Sequence, residues 1–365
     1  MTPHIAFRVD AGLQIGTGHV IRCLVLADEL RLFGAESSFI CRPHQGHMAD
    51  CIAARGHRVA LLNLPHSARS LDEDSPYADW RGASWPEDAR ETVAVLRERP
   101  ASWLVADHYA LDARWENAVR NGARLKVMAI DGQVNRPHDC ELLLDPTYSA
   151  EGERRWQGMV SPSCRLLVGP QYALLRPEFA IALAAAPRNE GKARRVVIAF
   201  GGVDKINATN VALEALRDES FLQIGVDVIV GASNPHYDSL AAASAGADNI
   251  RLHRQPPNVG ALMAAADIGV SAGGTMLLEQ CYVHVPALVV SVADNQIGLC
   301  KALAGAGSIE YLGHLKDGNR LQMQAAISAA LNCLLQDDAR LVQMRDRCRE
   351  LMRRADMSAA SLLME

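Results

Sequence analysis

Residues 10–22 read D-A-G-L-Q-I-G-T-G-H-V-I-R, between two apolar stretches. Residues 4–9 form a short apolar run, and residues 23–33 carry apolar side chains at helical spacing before Gly34. This order predicts a buried strand, a glycine-bearing loop and a helix. Three glycines allow the loop to turn tightly and a ligand to approach its backbone: Gly12, Gly16 and Gly18.

His19 is predicted to lie at the first turn of this helix, above the carboxyl end of the strand, where open α/β sheets bind ligands. A neutral imidazole there can act as a general base near pH 7. The alternative is a histidine that only caps the helix, and spacing alone does not decide between them. A dinucleotide site is weakly supported, because Ile21 replaces the third glycine of G-x-G-x-x-G and Glu36 begins a polar turn.

The length of 365 residues fits two α/β domains of roughly 150–200 residues each. Hydrophobic residues make up 49% of the chain and aromatic residues only 5%, as packing of helices on parallel sheets predicts. The formal net charge of −5 offers no basic surface for nucleic acid. We therefore expect no nucleic-acid partner.

The nine cysteines are odd in number and contain no C-x-x-C pair. This favours reduced thiols in a cytoplasmic protein over a disulfide or zinc framework. Residues 1–4 lead directly into a predicted strand, which argues against a signal peptide. Apolar runs stay below the roughly 18 residues that a membrane span requires, so we expect a cytoplasmic protein without membrane insertion.

Strands and helices alternate through the first half of the chain, with one irregular interruption at residues 65–86. That segment mixes Pro, Ser, Asp and Gly with Tyr77, Trp80 and Trp85. Long irregular segments in compact domains are often lids or binding loops, and a mobile surface excursion is the alternative.

Residues 103–107 predict another strand, and polar side chains stand at its end: Asp107, His108 and Tyr109. Because the carboxyl ends of parallel strands share one edge, these side chains are predicted to lie on the same side as the loop before His19. Asp131 and Asp145 repeat the pattern at two later strand ends, where they can also be ordinary turn residues.

The second half begins again after a charged linker at residues 186–195, so we predict domains at 1–185 and 186–365. A strand at 196–200 leads into Gly201 and Gly202. Asn207 is predicted to cap the next helix, and the backbone amides of this loop can receive phosphate oxygens.

The sequence S-A-G-G-T at 271–275 predicts a second glycine turn that opens a helix at 276–283. Amides of Gly273 and Gly274 at a helix start can bind a diphosphate, and Glu279, one turn later, can accept two ribose hydroxyls. Residues 294–296 open a further helix. The alternative is a structural helix capped by glycine, after which the chain continues as an outer helical cover.

These features predict an α/β protein of the GT-B type, with two doubly wound Rossmann-like domains that face each other across a cleft. The stretch F-R-V-D-x-x-x-x-I-G-T-G-H-V-x-R-C-L-x-L-A-D (7–28) resembles the beginning of the UDP-2,4-diacetamido-2,4,6-trideoxy-β-L-altropyranose hydrolases of pseudaminic acid biosynthesis. The C-terminal half is also similar to the GlcNAc transferase that forms lipid II. Further matches to the hydrolases follow in order: D-H-Y-A-L-D-A-R-W-E (107–116), G-P-Q-Y-A-L-L-R-P-E-F (169–179), F-G-G-x-D (200–204), G-A-S-N-P-H (231–236), A-G-G-T…E-x-C (272–281) and A-D-N-Q (293–296).

The resemblance implies hydrolysis of a UDP-sugar, in which water attacks the anomeric carbon and the C–O bond to UDP breaks with inversion. His19 would be the base, and Tyr109 would lie near the sugar and the water. Gly273, Gly274 and Thr275 would receive the diphosphate, and Glu279 would hold the ribose. The remaining expected substrate contacts are Gly16, Gly18, Arg22, Asp107, Gly201, Gly202, Asn295 and Gln296.

The resemblance implies no metal and no cofactor, a monomer whose partner is the UDP-sugar, and a role in flagellin glycosylation. The chain departs from the family pattern at Gly132, at Pro146-Thr147 and at residues 276–278. A GT-B glycosyltransferase, in which a sugar hydroxyl replaces water, is the first alternative, and a non-catalytic nucleotide-sugar binding module is the second. The N-terminal half has no basic or amphipathic patch for docking on a membrane, which favours hydrolysis of a soluble substrate.

Overall fold

The computed structural model describes residues 2–64, 75–185 and 193–365. The chain forms two compact units: unit 1 comprises Met1–Leu174 and Arg354–Glu365, and unit 2 comprises Leu175–Arg353. This division differs from the predicted boundary after residue 185, because residues 175–185 contact unit 2 and the last twelve residues return to unit 1. Most of the predicted linker, residues 186–192, lies outside the described residues.

Unit 1 is built on one parallel sheet, whose strand order is β3-β2-β1-β4-β5-β6-β7. Its strands are β1 (His4–Val9), β2 (Glu36–Cys41), β3 (Arg58–Leu61), β4 (Trp103–Asp107), β5 (Lys126–Ile130), β6 (Leu142–Asp145) and β7 (Arg165–Val168). Its helices before residue 174 are α1 (Gly18–Leu32), α2 (Ala49–Ala54), α3 (Ala78–Arg81), α4 (Trp85–Glu98) and α5 (Ala113–Ala123).

The strand order of unit 1 reverses between β1 and β4, which are hydrogen-bonded neighbours with Val9 opposite Asp107. The loop that follows β1 and the polar residues that end β4 therefore meet at the topological switch point, the place where open α/β sheets bind ligands. The predicted neighbourhood of His19 and the 107–109 segment is confirmed.

Unit 2 repeats the design with the strand order β10-β9-β8-β11-β12-β13. Its strands are β8 (Arg195–Ala199), β9 (Gly225–Val230), β10 (Ile250–Arg254), β11 (Ile268–Ala272), β12 (Ala287–Ser291) and β13 (Ile309–His314). Its helices are α6 (Pro177–Ala185), α7 (Ala208–Ala215), α8 (Tyr237–Ser244), α9 (Val259–Ala264), α10 (Thr275–Tyr282), α11 (Asp294–Gly305), α12 (Arg320–Leu335) and α13 (Asp338–Leu351).

Here the switch lies between β8 and β11, where Ala199 stands opposite Ser271. The glycines at 201–202 and the glycine turn at 273–274 consequently follow neighbouring strands. The last strand, β13, occupies residues that the sequence predicted to be part of the helical cover, and its register with β12 shifts at Val289/Val290.

The chain ends in α14 (Ala359–Leu363), which packs against α1 in unit 1. Four of its residues are buried in the same hydrophobic core as Val20 and Leu24 of α1: Ala359, Ala360, Leu362 and Leu363. Within the described ranges, every helix is too short or too polar to cross a bilayer.

Candidate functional site

His19 is the second residue of α1, and its imidazole contacts the last residue of β4. The Nδ1 atom of His19 lies 2.6 Å from Oδ1 of Asp107. Because an ionised carboxylate only accepts hydrogen bonds, this contact favours the neutral tautomer of His19 that carries its proton on Nδ1 and its lone pair on Nε2. His19 is 8% exposed, so a small part of the ring reaches solvent.

Arg22 lies one helical turn after His19 and holds the same carboxylate. Its Nε donates to Oδ2 of Asp107 at 2.6 Å, and its Nη2 donates to Oδ1 at 2.5 Å. Burial would raise the pKa of Asp107, but Arg22 and then His19 outweigh burial and hold that pKa well below its usual range. Asp107 is therefore an ionised carboxylate inside the protein.

These contacts correct the predicted role of Asp107. Asp107 and Arg22 were expected to touch the substrate, but Asp107 is 0% exposed, and both of its oxygens accept from protein groups. Arg22 is also buried and directs Nε and Nη2 at Asp107. Asp107 orients the imidazole of His19 instead of presenting an oxygen to a ligand, whereas Arg22 holds Asp107 and stays a predicted substrate contact.

Tyr109 stands beside His19, with the two rings edge to face and their centroids 4.7 Å apart. The guanidinium of Arg136 lies over the Tyr109 ring, 5.8 Å from the centroid of that ring. Burial raises the pKa of the phenol, with Arg22 opposing it, and Gln133 is a hydrogen-bond partner of the side chain. Tyr109 is therefore a protonated phenol at neutral pH.

Two further aromatic rings join Tyr109. Tyr77 and Trp80 come from α3 and the residue before it, within the irregular segment that the sequence singled out. Ring centroids are 4.7 Å apart for Tyr77 and Trp80, 5.3 Å for Tyr77 and Tyr109, and 6.0 Å for Trp80 and Tyr109. We call Tyr77, Trp80 and Tyr109 the aromatic wall. Residues 65–74 of the same segment lie outside the described residues.

The loop before His19 is closed by a short bridge between Gly12 and Gly16. Gly16 N donates to Gly12 O at 2.8 Å, and Gly12 N donates to Gly16 O at 3.3 Å. Gly16 has φ +85°, a conformation that side-chain-bearing residues rarely adopt. Gly18 is the first residue of α1. Both glycines thus belong to the turn that leads into His19, and their contact with a substrate stays a prediction.

Other polar residues at this edge are structural. Asp10 is paired with Arg8 at 2.8 Å and accepts from the backbone amide of Arg42 at 2.6 Å. Nε2 of His108 lies 3.4 Å from Oδ2 of Asp10, and burial lowers the pKa of this histidine. These contacts anchor the loops that carry His19 and Tyr109.

Asp131 and Asp145 also follow the structural alternative. Asp131 binds His138 and Arg136, each at 2.9 Å, and His138 reaches Glu116 at 2.7 Å. Burial alone would lower the pKa of His138, but Glu116 and Asp131 raise it to about 9. Asp145 accepts the indole N–H of Trp156 at 2.9 Å and is fully buried.

In unit 2, the glycine turn that follows β11 ends at Thr275, the first residue of α10. Gly273 is required by close packing, since a Cβ there would lie 2.2 Å from Sγ of Cys300 in α11. Gly274 is the N-cap of α10. In the first turn of α11, Gln296 accepts the amide of Val292 at 2.9 Å, and Asn295 is the adjacent residue. The predicted diphosphate residues are thus brought together.

Glu279 lies on α10, buried, and its two oxygens accept from one arginine that the sequence did not single out. Arg176 donates through Nε to Oε1 at 2.8 Å and through Nη2 to Oε2 at 3.1 Å. Burial raises the pKa of Glu279, and Arg176 opposes that rise. Arg176 belongs to the G-P-Q-Y-A-L-L-R-P-E-F motif at 169–179, and this match to the hydrolases is the feature of the sequence that could have indicated a role for the arginine. Each carboxylate oxygen keeps a second lone pair for a ligand hydroxyl.

The loop at Gly201 and Gly202 differs from its prediction. The helix start beyond it is capped by Asp204, which accepts the amides of Ala208 at 2.8 Å and Thr209 at 2.9 Å. Asn207 occupies the cap position but makes no capping bond with its side chain. Because Asp204 already uses these amides, the start of α7 is not free for a phosphate. Gly201 and Gly202 stay predicted substrate contacts, and only their own backbone atoms would make them.

Solved structures resemble the whole chain in fold. MurG of Acinetobacter baumannii is 13% identical, with a TM-score of 0.62 over 99% of this chain and 98% of that one. The fold is of the GT-B type. The glycosyltransferase SsfS6 of Streptomyces sp. SF2575, solved with thymidine diphosphate, is 16% identical, with a TM-score of 0.61 over 99% of this chain and 98% of that one.

No protein-family model matches this GT-B chain. It is similar to the UDP-2,4-diacetamido-2,4,6-trideoxy-β-L-altropyranose hydrolase of Campylobacter jejuni, at 25% identity over 84% of this chain and 98% of that protein. It is also similar to the spore coat polysaccharide biosynthesis protein SpsG of Bacillus subtilis, at 26% identity over 85% of this chain and 84% of that protein. The resemblance predicted from the motifs is confirmed.

Proposed function

We propose that this protein hydrolyses UDP-2,4-diacetamido-2,4,6-trideoxy-β-L-altropyranose to UDP and the free sugar. The observation that carries the proposal is the His19–Asp107 pair, in which Nδ1 lies 2.6 Å from Oδ1, since a neutral imidazole that donates there has its lone pair on Nε2. Similarity to the Campylobacter hydrolase over nearly its whole length supports the substrate. The proposed scheme uses no metal or cofactor.

The chemistry follows from the free lone pair of His19. Nε2 takes a proton from water while the water oxygen forms a bond to the anomeric carbon. The bond from that carbon to the diphosphate oxygen breaks, and its electron pair leaves with UDP. Asp107 stabilises the resulting imidazolium through the Nδ1–H bond. Attack opposite to the leaving group inverts the anomeric centre.

UDP would bind to unit 2. The amides at the start of α10, from Gly273 to Thr275, are suited to the diphosphate, because a helix N-terminus favours negative charge. Stabilised charge on the diphosphate makes UDP a better leaving group. Glu279 would accept ribose hydroxyls, with Asn295 and Gln296 near the diphosphate or sugar. We also propose that this protein is a monomer, that it acts in the cytoplasm, and that its reaction belongs to pseudaminic acid biosynthesis for flagellin glycosylation.

A glycosyltransferase is the second candidate, because SsfS6 shares the fold and is a glycosyltransferase. In that reaction a sugar hydroxyl would replace water, and His19 would take its proton. A binding module without turnover is the third. Incubation of the protein with the UDP-sugar and no acceptor separates the three. UDP and free sugar support the hydrolase, turnover only with an added acceptor supports the transferase, and binding without turnover supports the module.

The base assignment has its own test. His19→Ala and His19→Asn should abolish turnover while UDP binding, measured by calorimetry, persists. The matched control is His47→Ala, because His47 is an exposed histidine on the loop after β2. Near-normal turnover of either His19 variant would refute the assignment.

A further inference from the structure

The aromatic wall stands directly against the proposed base. The His19 ring lies edge-on to Tyr109 at 4.7 Å and edge-on to Trp80 at 6.3 Å between centroids. The three rings of the wall are each half-buried, so part of their surface remains open. The apolar surface lies next to a base that must activate water beside a sugar carbon, and proton transfer alone does not explain this surface.

The wall is held in place by buried polar contacts. Arg81, the last residue of α3, is 2% exposed and donates to Ala83 O at 2.8 Å and Ala110 O at 2.9 Å. Ala110 directly follows Tyr109, so α3 is fastened to the segment that carries the third ring of the wall. His108 adds a contact to Trp80 O at 3.4 Å. The rings therefore form a preformed surface.

The chemistry of this surface selects against hydroxyl groups. Aromatic faces take C–H and methyl groups, whereas a sugar hydroxyl placed against them loses its water without gaining a partner. The proposed substrate carries a methyl at C6 and two acetamido methyls in place of three hydroxyls. A hydroxyl-rich hexose of the same size would lose hydration at these positions.

We propose that the aromatic wall is the specificity determinant that selects deoxygenated, N-acetylated sugars over their hydroxylated counterparts. The inference rests on the proposed function and names the part of unit 1 that recognises the sugar. Tyr109 serves through its ring face as well as its phenol. Tyr77 and Trp80 touch substrate without moving a proton.

The test compares UDP release from the proposed substrate with release from two analogues. One analogue carries a hydroxyl at C6, and the other carries a hydroxyl in place of the C4 acetamido group. We expect the native protein to disfavour at least one analogue by about tenfold or more in kcat/KM. In Trp80→Ala, the ratio of kcat/KM for the proposed substrate to kcat/KM for that analogue should fall to about threefold or less. Most of this change should come from a higher KM for the proposed substrate. Trp80→Phe should keep most of the ratio, and inhibition by UDP should be unchanged in both.

Trp85→Ala is the matched control, because Trp85 packs against the core and contacts Arg114 at 5.5 Å. If Trp80→Ala does not fold, Tyr77→Ala provides the same measurement. UDP release with the same ratio in the native and Trp80 or Tyr77 variants overturns this inference alone. An equal change of the ratio in Trp85→Ala also overturns it. Absence of UDP release from all three nucleotides overturns the proposed function and this inference with it.

Discussion

Arg22 donates two parallel hydrogen bonds to Asp107, 2.6 Å from Nε to Oδ2 and 2.5 Å from Nη2 to Oδ1. The planar guanidinium matches the carboxylate, and both ends of the pair are buried. Because Oδ1 also accepts from His19, the arginine fixes the direction in which the imidazole faces. The geometry of the proposed base is thus set by a residue three positions away on the same helix.

Substitution of Arg22 should move the acid limb of the activity profile. Arg22→Lys cannot make the bidentate contact, and we expect kcat to fall about tenfold. In Arg22→Met, burial of Asp107 is no longer opposed by its main cation, so the pKa of Asp107 should rise. As the pH is lowered, the variant would then lose activity at a higher pH than the native protein does. Steady-state kinetics from pH 4 to 8 measure this, and a superimposable profile for Arg22→Met would contradict it.

Asp107→Asn should remove the negative charge while preserving the shape of the side chain. We expect kcat to fall by roughly 10²–10⁴-fold with little change in KM, because the imidazolium loses its partner and the Nδ1 proton its fixed acceptor. Loss of one member of a buried ion pair should also cost about 3–5 kcal/mol of unfolding free energy. Kinetics and urea unfolding measure the two effects. Full kcat in a folded Asp107→Asn protein would show that Asp107 does not support the base.

Glu279→Gln should weaken discrimination for the ribose. Arg176 keeps Glu178 as a partner at 2.6 Å, so the substitution does not leave a buried cation alone. Loss of a charged acceptor is worth about 1.5–3 kcal/mol, and we expect UDP affinity to fall at least tenfold. The preference for UDP over 2′-deoxy-UDP should approach unity, measured by calorimetry. Glu178→Gln is the control and should retain the preference, whereas its retention in Glu279→Gln would exclude a ribose contact.

Gly273→Ala should destabilise unit 2 by steric conflict. The added Cβ would lie 2.2 Å from Sγ of Cys300, and overpacking of this kind costs about 1–3 kcal/mol. Cys300→Ala in the same chain should recover most of the lost stability and of UDP binding. Gly274→Ala is the matched control for stability alone, because its nearest neighbour, Nε2 of Gln296, is 3.8 Å away. Denaturant unfolding followed by circular dichroism, with UDP titration, distinguishes the variants.

His138 should make unit 1 less stable at alkaline pH. Its pKa is raised to about 9 in the folded protein, above the ordinary value of 6.5. The stabilisation is therefore fully present below pH 6.5 and is lost as pH rises through 9. The native protein should lose on the order of 3 kcal/mol of unfolding free energy between these two pH values, and His138→Gln should not show this loss. All five tryptophans fall between residues 80 and 156, so their fluorescence reports on unit 1 during urea unfolding. Equal pH dependence in the native and variant proteins would contradict the role of His138.

The local patterns of the sequence predicted most of the fold. The apolar run, the glycine loop and the helical spacing after it gave β1 and α1, and they placed His19 in the first helical turn. The strand β13 was missed because its six residues, I-E-Y-L-G-H, alternate poorly and its register is irregular. The division into units was misplaced because the return of residues 354–365 depends on tertiary packing, which no local pattern encodes.

The site was predicted less completely, because its decisive contacts join distant residues. His19 and Asp107 are 88 positions apart, and Arg176 and Glu279 are 103 apart. Composition at a strand end indicates that Asp107 is near the site, but it does not reveal that the carboxylate is fully buried behind the imidazole. Tyr77 and Trp80 were noticed as aromatic residues in an irregular segment, yet their stacking with Tyr109 requires the folded position of α3.

The helix α14 makes the stability of α1 depend on residues more than 320 positions further along the chain. Leu362 and Leu363 belong to the same apolar core as α1, the helix that carries His19 and Arg22. A copy interrupted before residue 354 would expose the inner face of that helix to water. The apolar surface exposed in such a copy would make it a target for chaperones and proteases.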